Sequence, residues 1–338
     1  MRTGTAHRFR PVRARGERPR GRMRRREAGI ALIVALWLTV LLTVIASAFA
    51  FSMRSVALAA RNALSLAQAR AIADGAVERM AFELSRPRNA PEVWEPNGDT
   101  HTWQDGDAVV AAAAVDEAAK IDLNVAPDVL LKGLFQNVGG LDAEAAQKLV
   151  EAVLDWRDPD DLRRPSGAEE PEYRAAGLKY RPANAAFETV GELRRVLGVT
   201  PALYARVAES LTVYSRQPGV NTATASREVL RALPNATPEA IDAFLAQRRD
   251  ARAAKLPVPP FPGVQGFGAG AVPVWRIRAG ATLPDGVTFV RDAVLRPSGD
   301  PRRPVIALLW QEGPRASLTE PDAAAPGAAA NADGQGKP

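Results

Sequence analysis

Residues 24–42 read RRREAGIALIVALWLTVLL, three arginines and the small-residue step Ala28-Gly29 set directly before an unbroken apolar run. From Ile30 to Phe51 there are 22 residues without a charge. At about 1.5 Å per residue such a helix crosses a hydrocarbon core of roughly 30 Å, so a membrane-spanning segment is expected over 30–51. Arginines precede the run and only Arg54 follows it closely, which by the positive-inside rule leaves residues 1–29 in the cytoplasm and the body outside. The competing reading is a secretory signal cleaved at ASAFA, residues 46–50. The run is longer than the roughly 7–15 residues of a signal core, and its helical pattern does not stop there.

Beyond Met53, apolar residues recur at Val56, Leu58, Ala59, Leu64, Leu66, Ala69, Ile72, Val77, Met80 and Leu84, and no proline intervenes before Pro87. The spacing predicts one helix from Ile30 to about Leu84, apolar first and amphipathic over 52–86. A basic leader, a glycine and then such a helix resemble the type IV prepilin class. That resemblance implies cleavage between Gly29 and Ile30, so that a sorting signal becomes an anchor. The class carries Glu at the fifth mature position, where this chain has Val34. Met23 offers an alternative start, because MRRREAG alone is a sufficient leader and the Arg/Pro/Gly-rich residues before it read as disordered; a true cytoplasmic extension is the other reading.

The 338 residues allow one large domain or two ordinary ones. The net charge of +6 is misleading, since residues 1–28 hold eleven Arg against Glu17 and Glu27, leaving the remainder at −3. Basicity therefore belongs to the leader, and the body has no general attraction for nucleic acid. With no cysteine, the chain makes no disulfide, thiolate metal site or Cys nucleophile. His7 and His101 are its two histidines and cannot build a His-rich zinc site, so any metal has to be a hard cation on oxygen ligands.

After a Pro/Asn/Trp-rich loop, a strand is expected over 108–115, and residues 127–250 are helical in pattern. Thr200-Pro201 and Thr237-Pro238 are helix starts, and Thr189 with Glu192 has capping-box spacing. Residues 123–158 and 220–250 form a weak repeat: Asn, a short helix with Val-Leu, a turn, and a second helix ending in Arg-Asp. Past a Pro/Gly-rich loop, 273–280, 287–296 and 305–312 read as strands, with Asp285-Gly286 as a hairpin turn. One early strand and three late ones bracket the helices. The expected fold is α+β, with a first α/β part over 87–123, an inserted helical domain over 124–256 holding two helix-turn-helix units, C-terminal strands over 257–312, and a disordered tail over 313–338.

The stretches VDEAAKIDLNVAP, LDWRDPDD, SGAEEPEY, YRPANAAFETVGELRRVLGV and GVNTATASREVLRALP, taken in order, are similar to the GspK family of minor pseudopilins in type II secretion. The resemblance covers roughly 24–312. It implies a pseudopilin fold with an inserted helical domain, no enzymatic activity, and a place at the tip of the periplasmic pseudopilus. The partners it implies are GspI and GspJ, their helices packed against this chain's through the Val56 to Leu84 stripe, with GspH and the major pseudopilin GspG as further contacts, prepilin peptidase for processing, and the inner membrane. Val34 fits a terminal place: a subunit without the carboxylate cannot accept a neighbour's N-terminal amine inside lipid.

Asp155, Asp158, Asp160, Asp161, Glu169, Glu170 and Glu172 gather around a turn marked by Pro159, Pro165 and Gly167, which is either a hard-cation site or a solvated acidic loop. The resemblance implies calcium there, mapped onto Asp158, Asp160, Glu169 and Asn184. A generic type IV minor pilin is the nearest alternative. A membrane-anchored helix-hairpin-helix DNA receptor is another, because VGGLDAEAAQKLV resembles modules that hold phosphate on backbone amides. Its charge is of the wrong sign, −7 between Asp116 and Asp161. No nucleophile-base pair, G-x-S-x-G or phosphate loop supports an enzyme, and Trp156 and Trp310 read as core anchors.

Overall fold

The computed structural model describes residues 24–87, 93–263 and 273–314, with side chains from Ile30 onward. The leader before Arg24, the alternative start Met23 and the tail beyond Pro314 lie outside the described residues. Helix α1 spans Arg24–Ser85 and ends at the first proline that could stop it, Pro87. The chain divides into two compact units at Ala63/Leu64. In the first, every described residue from Ile30 to Ala63 is exposed. By length and composition this helix is long and apolar enough to cross a membrane.

In the second unit, α1 meets a five-stranded antiparallel sheet of order β1-β2-β5-β6-β7. Its strands are β1 (Asn97–Asp105), β2 (Ala108–Asp116), β5 (Trp275–Thr282), β6 (Thr288–Asp300) and β7 (Arg303–Glu312). Ala69, Ala73, Ala76, Val77, Met80 and Ala81 form one buried helix face: Ala76, Val77, Met80 and Ala81 cluster with Val110, Ala112, Ala114, Ile277, Ala279 and Ala293, and Ala69 and Ala73 with Ala108, Ala281, Leu283 and Phe289. Small side chains on both partners let helix and sheet approach closely. The Asp74 carboxylate accepts from Arg291 Nε at 2.6 Å, and Ser65 Oγ donates to Asp285 in the β5–β6 loop at 2.7 Å, so polar contacts tie α1 to the sheet at two points. Gly286 takes φ +83° in that loop, the left-handed conformation that a tight turn asks of glycine. Across β5 and β6, Arg276 grips Asp292 through two hydrogen bonds of 2.9 and 2.6 Å. Burial pushes the Asp292 carboxyl up, but Arg276 and Arg278 outweigh it and hold the group below its ordinary value.

The helical insert leaves the sheet after β2 and returns at β5. Its elements are β3 (Ile121–Asp122), α2 (Asp128–Gly133), α3 (Ala143–Arg157), α4 (Glu170–Ala175), α5 (Pro201–Val207), β4 (Leu211–Thr212), α6 (Arg227–Arg231) and α7 (Pro238–Ala253), with β3 and β4 paired in parallel. The repeat appears as α2–α3 and α6–α7, and each unit closes on itself in the same way. From the end of α3, Arg157 donates to the carbonyls of Leu123 and Ala126; from α7, Arg248 donates to those of Thr222 and Ala225. The two units meet where the turn after α2, Leu134–Val138, packs on α6, and Asn137 Nδ2 donates to the Arg231 carbonyl at 2.8 Å. A Cβ on Gly139 would lie 2.6 Å from Leu203 and 2.4 Å from the Phe135 carbonyl, so helix packing alone demands a glycine in this turn.

The motif VDEAAKIDLN is the joint between sheet and insert. Asp116 accepts from Ala118 N at 2.9 Å and Asn221 Nδ2 at 2.7 Å; Glu117 accepts from Lys120 and Thr212; Asp122 accepts from Arg216 N at 2.8 Å and Ser215 Oγ at 3.1 Å. All three carboxylates are buried, and burial pushes Asp116 above its ordinary value.

Four expectations are corrected. Residues 97–105, read as loop, form edge strand β1. Trp310 is not a core anchor: on edge strand β7 it is 38% exposed, whereas Trp156 is 1% exposed. The α1 stripe from Ala69 onward faces the chain's own sheet and is not free for other subunits, which leaves Leu64, Leu66 and Phe82 exposed in this unit. Thr189 and Glu192 start a 3₁₀ turn over Val190–Arg195 instead of an α-helix.

Candidate metal centre

Helix α3 ends at Asp158, whose extended backbone and following Pro159 turn the chain out of the helix. The loop re-enters helix at Glu170, with Pro171 in the first turn of α4. Beneath it lies an aromatic floor in which Trp156 contacts Tyr173 and Phe187.

Asp155, in the last turn of α3, is wholly buried and accepts from Arg164 Nη1 at 2.7 Å and from the Arg164 backbone N. The same Nη1 donates to Asp158 Oδ2 at 2.5 Å, so one guanidinium bridges two carboxylates. Gly167 closes over Asp155 so tightly that a Cβ there would lie 2.0 Å from Oδ2. Asp160 Oδ1 accepts from Leu162 N at 2.8 Å. Asn184, at φ +48°, donates to the Asp160 carbonyl at 2.9 Å and to Asp161 Oδ1 at 2.7 Å, and so fastens a distant stretch of chain to the loop.

Among the described residues, three buried side-chain oxygens have no hydrogen-bond partner: Asp158 Oδ1, Glu169 Oε1 and Asn184 Oδ1. Glu169 is 4% exposed. Burial, then the charges of Asp155, Asp158, Asp161 and Asp160, push its carboxyl up to about 7. Burial likewise raises Asp155 against the opposing pull of Arg164. An unpaired acceptor in a buried site costs about 1–3 kcal/mol, and unpartnered oxygens among carboxylates are the donor set of a hard cation. Among the described residues, however, no three Asp, Glu, His or Cys side chains converge closely enough to hold an ion.

Residues 107–219, from β2 through this loop to β4, match the family model of protein K of the type II secretion system. Protein K of Pectobacterium carotovorum subsp. carotovorum is 29% identical over 225 residues, covering 60% of this chain and 68% of the relative. Protein K of Klebsiella pneumoniae is 29% identical over 235 residues, covering 62% and 71%. A chain of the GspK-GspI-GspJ complex of enterotoxigenic Escherichia coli shares the fold with a TM-score of 0.51 at 18% identity, over 78% of this chain and 99% of that one. Over these residues the chain is similar to protein K of the type II secretion system. It is a minor pseudopilin, built as an anchor helix, an antiparallel sheet and a helical insert.

Of the four residues expected to bind metal, Asp158, Asp160 and Glu169 lie on the loop after α3 and Asn184 reaches it from beyond α4; Asp158, Glu169 and Asn184 contribute the unpartnered oxygens. Asp160 instead spends Oδ1 on the backbone of its own turn. Glu170 pairs with Arg174, and Glu172 pairs with Arg163 while its other oxygen accepts from the Glu169 backbone N at 3.0 Å. The sequence reading missed Arg164. The signal available was a pair of arginines, Arg163-Arg164, inside the acidic run. At the other end of the chain, Ile30 and Val34 lie exposed on α1, and Gly29 falls outside the described side chains.

Proposed function

We propose that this chain is a single-pass inner-membrane subunit that prepilin peptidase cuts between Gly29 and Ile30. Its N-terminus is cytoplasmic and its body periplasmic. It caps the pseudopilus tip together with the GspI-like and GspJ-like pseudopilins, with the GspH-like and major GspG-like subunits below. Its work is structural, starting filament assembly for export, and includes no catalysis.

The observation that carries this reading is the absence of any carboxylate from Ile30 through Ala73, Val34 included. Cleavage leaves an ammonium on Ile30 within lipid, where a bare charge needs a counter-charge. A subunit that carries the acid can dock beneath a neighbour and accept that neighbour's amine. This chain carries none, so it docks beneath no other subunit in that manner, and a position at the tip follows. The arginines at 24–26 set the orientation.

Calcium is the ion we assign to the loop after α3. The fit rests on the unpartnered buried oxygens of Asp158, Glu169 and Asn184, all hard donors. Bound there, the ion would neutralise crowded carboxylates and fix the loop on the insert.

N-terminal sequencing of the membrane-extracted protein tests processing and anchoring together. The expected mature start is Ile30. A start near Phe51, or an uncut chain in cells that contain the peptidase, contradicts the proposal.

A further inference from the structure

We propose that the groove between α1 and edge strand β1 seats a helix of a neighbouring pseudopilin, with an acidic side chain of that helix on Arg79 and a basic one on Asp105. The inference rests on the tip-complex reading above and adds where on this chain the neighbour docks.

The α1 face packed on the chain's own sheet is taken, so a partner needs another surface. One lies beside it. Ile72, Gly75 and Arg79 of α1 and Trp103, Gln104 and Asp105 of β1 line a groove of about 260 Å³. Small-molecule sites are largely enclosed and run to about 300–1,000 Å³; this groove is smaller and open to solvent, which suits side chains of a docked protein.

The charge in the groove is held in place. The Arg79 guanidinium carbon lies 4.4 Å from the centre of the Trp103 ring and 5.8 Å from that of Trp94, and His101 stacks on Trp94 at 3.8 Å. Cation–π contact occupies the flat face of a guanidinium and leaves the N–H donors at its rim. Glu83, one turn further along α1, pairs with Arg86, and Asp74 pairs with Arg291. Among the described residues Arg79 therefore has no counter-ion, and neither has Asp105 on the β1 wall. A fixed cation and a fixed anion on opposite walls select a partner with the complementary pair, and holding the arginine in advance lowers what binding costs.

The floor favours a helix over an added strand. A Cβ on Gly75 would meet nothing within 4 Å, and glycine there lets another backbone come close. A strand added to β1 would meet the register break between Asn97 and Thr100 and the charges of Asp99 and Asp105, features that blunt an edge.

The chain has no cysteine, so Gln104→Cys places a single thiol in the groove. In the full chain in detergent, maleimide labelling of that thiol should be largely lost when the GspI-like and GspJ-like pseudopilins of the same organism are added. Measured by biolayer interferometry, Arg79→Gln should weaken their binding about tenfold or more, and Arg79→Lys, which keeps the charge, should weaken it less. Gly75→Leu fills the groove from an open position and should block binding while melting at or above the wild type; it carries the comparison if Arg79→Gln does not fold. Binding that neither Arg79→Gln nor Gly75→Leu weakens, or a thiol labelled as fast in the complex as in the free chain, overturns the docking proposal and leaves the tip complex standing. Protection of the thiol in this chain alone as its concentration rises gives the groove to a second copy and also overturns it. No binding by the wild type overturns the tip complex and the docking proposal together.

Discussion

Gly133→Ala probes the packing of the two helical units on one another, and the sign of its effect follows from distances. Gly133 is the last residue of α2. In an open helix the change stabilises by about 0.5–1 kcal/mol, because alanine has less backbone freedom to lose. Here a Cβ would lie 2.1 Å from the Ala232 carbonyl oxygen, 3.0 Å from its carbon and 3.3 Å from its Cα. The obstacle is backbone just past α6, so no rotamer relieves it, and the units must separate by more than an ångström. That movement strains the hydrogen bond from Asn137 to the Arg231 carbonyl. Overpacking of this kind costs about 1–3 kcal/mol. Added to a strained bond worth about 1 kcal/mol, it exceeds the helix gain, for a net loss of about 2 kcal/mol. At roughly 2–4 °C per kcal/mol for a body of this size, Tm should fall by about 4–8 °C. Gly75→Ala, in α1 with nothing within 4 Å of the added Cβ, is the control and should raise Tm slightly. Calorimetric melting of the body from Leu64 onward measures both. A Gly133→Ala variant as stable as wild type would refute the close contact between Gly133 and Ala232.

Calcium at a hundred times its Kd should stabilise the body by about 2.7 kcal/mol, and Asp158→Ala combined with Glu169→Ala should abolish that response while far-UV circular dichroism stays unchanged. In chelator, stability should fall as pH rises from about 4.5 to about 7: the folded chain keeps a proton on Glu169, raised to about 7, that the unfolded chain has already released. Glu169→Gln should flatten that part of a plot of urea midpoint against pH, and an unchanged slope would place the titration elsewhere. Arg157→Met removes two charged hydrogen bonds to carbonyls at the base of the first unit and should cost about 2 kcal/mol by urea unfolding. Arg248→Met should cost a similar amount in the second.

Much of the fold was legible because local chemistry and tertiary role coincide. Thr200 and Thr237 accept from the backbone N of Leu203 and Ala240, as a hydroxyl before Pro at the first helical position requires. Strands β5 to β7 alternate clearly or are continuously apolar, since β5 and β6 lie inside the sheet. Strand β1 was not legible because it is an edge: NGDTHTWQD exposes most of its side chains and follows a proline-rich loop, so no apolar alternation marks it. Trp310 misled for the related reason that β7 is the opposite edge. The stripe on α1 showed that a face is buried without showing against what. The clue lay in composition, because Ala69, Ala73, Ala76 and Ala81 match the alanine run of β2. In the loop after α3 the acids were visible, while the bridging role of Arg164 depends on a fold-back across nine residues that spacing does not reveal.

The most direct test of the tip assignment is size-exclusion chromatography with light scattering on the body, from about Ser55 onward, mixed with the soluble domains of the GspI-like and GspJ-like pseudopilins of its own organism. The account predicts one complex with a single copy of each subunit, and no self-assembly of this chain alone. Three separate peaks at micromolar concentrations, or a homopolymer of this chain, would contradict it.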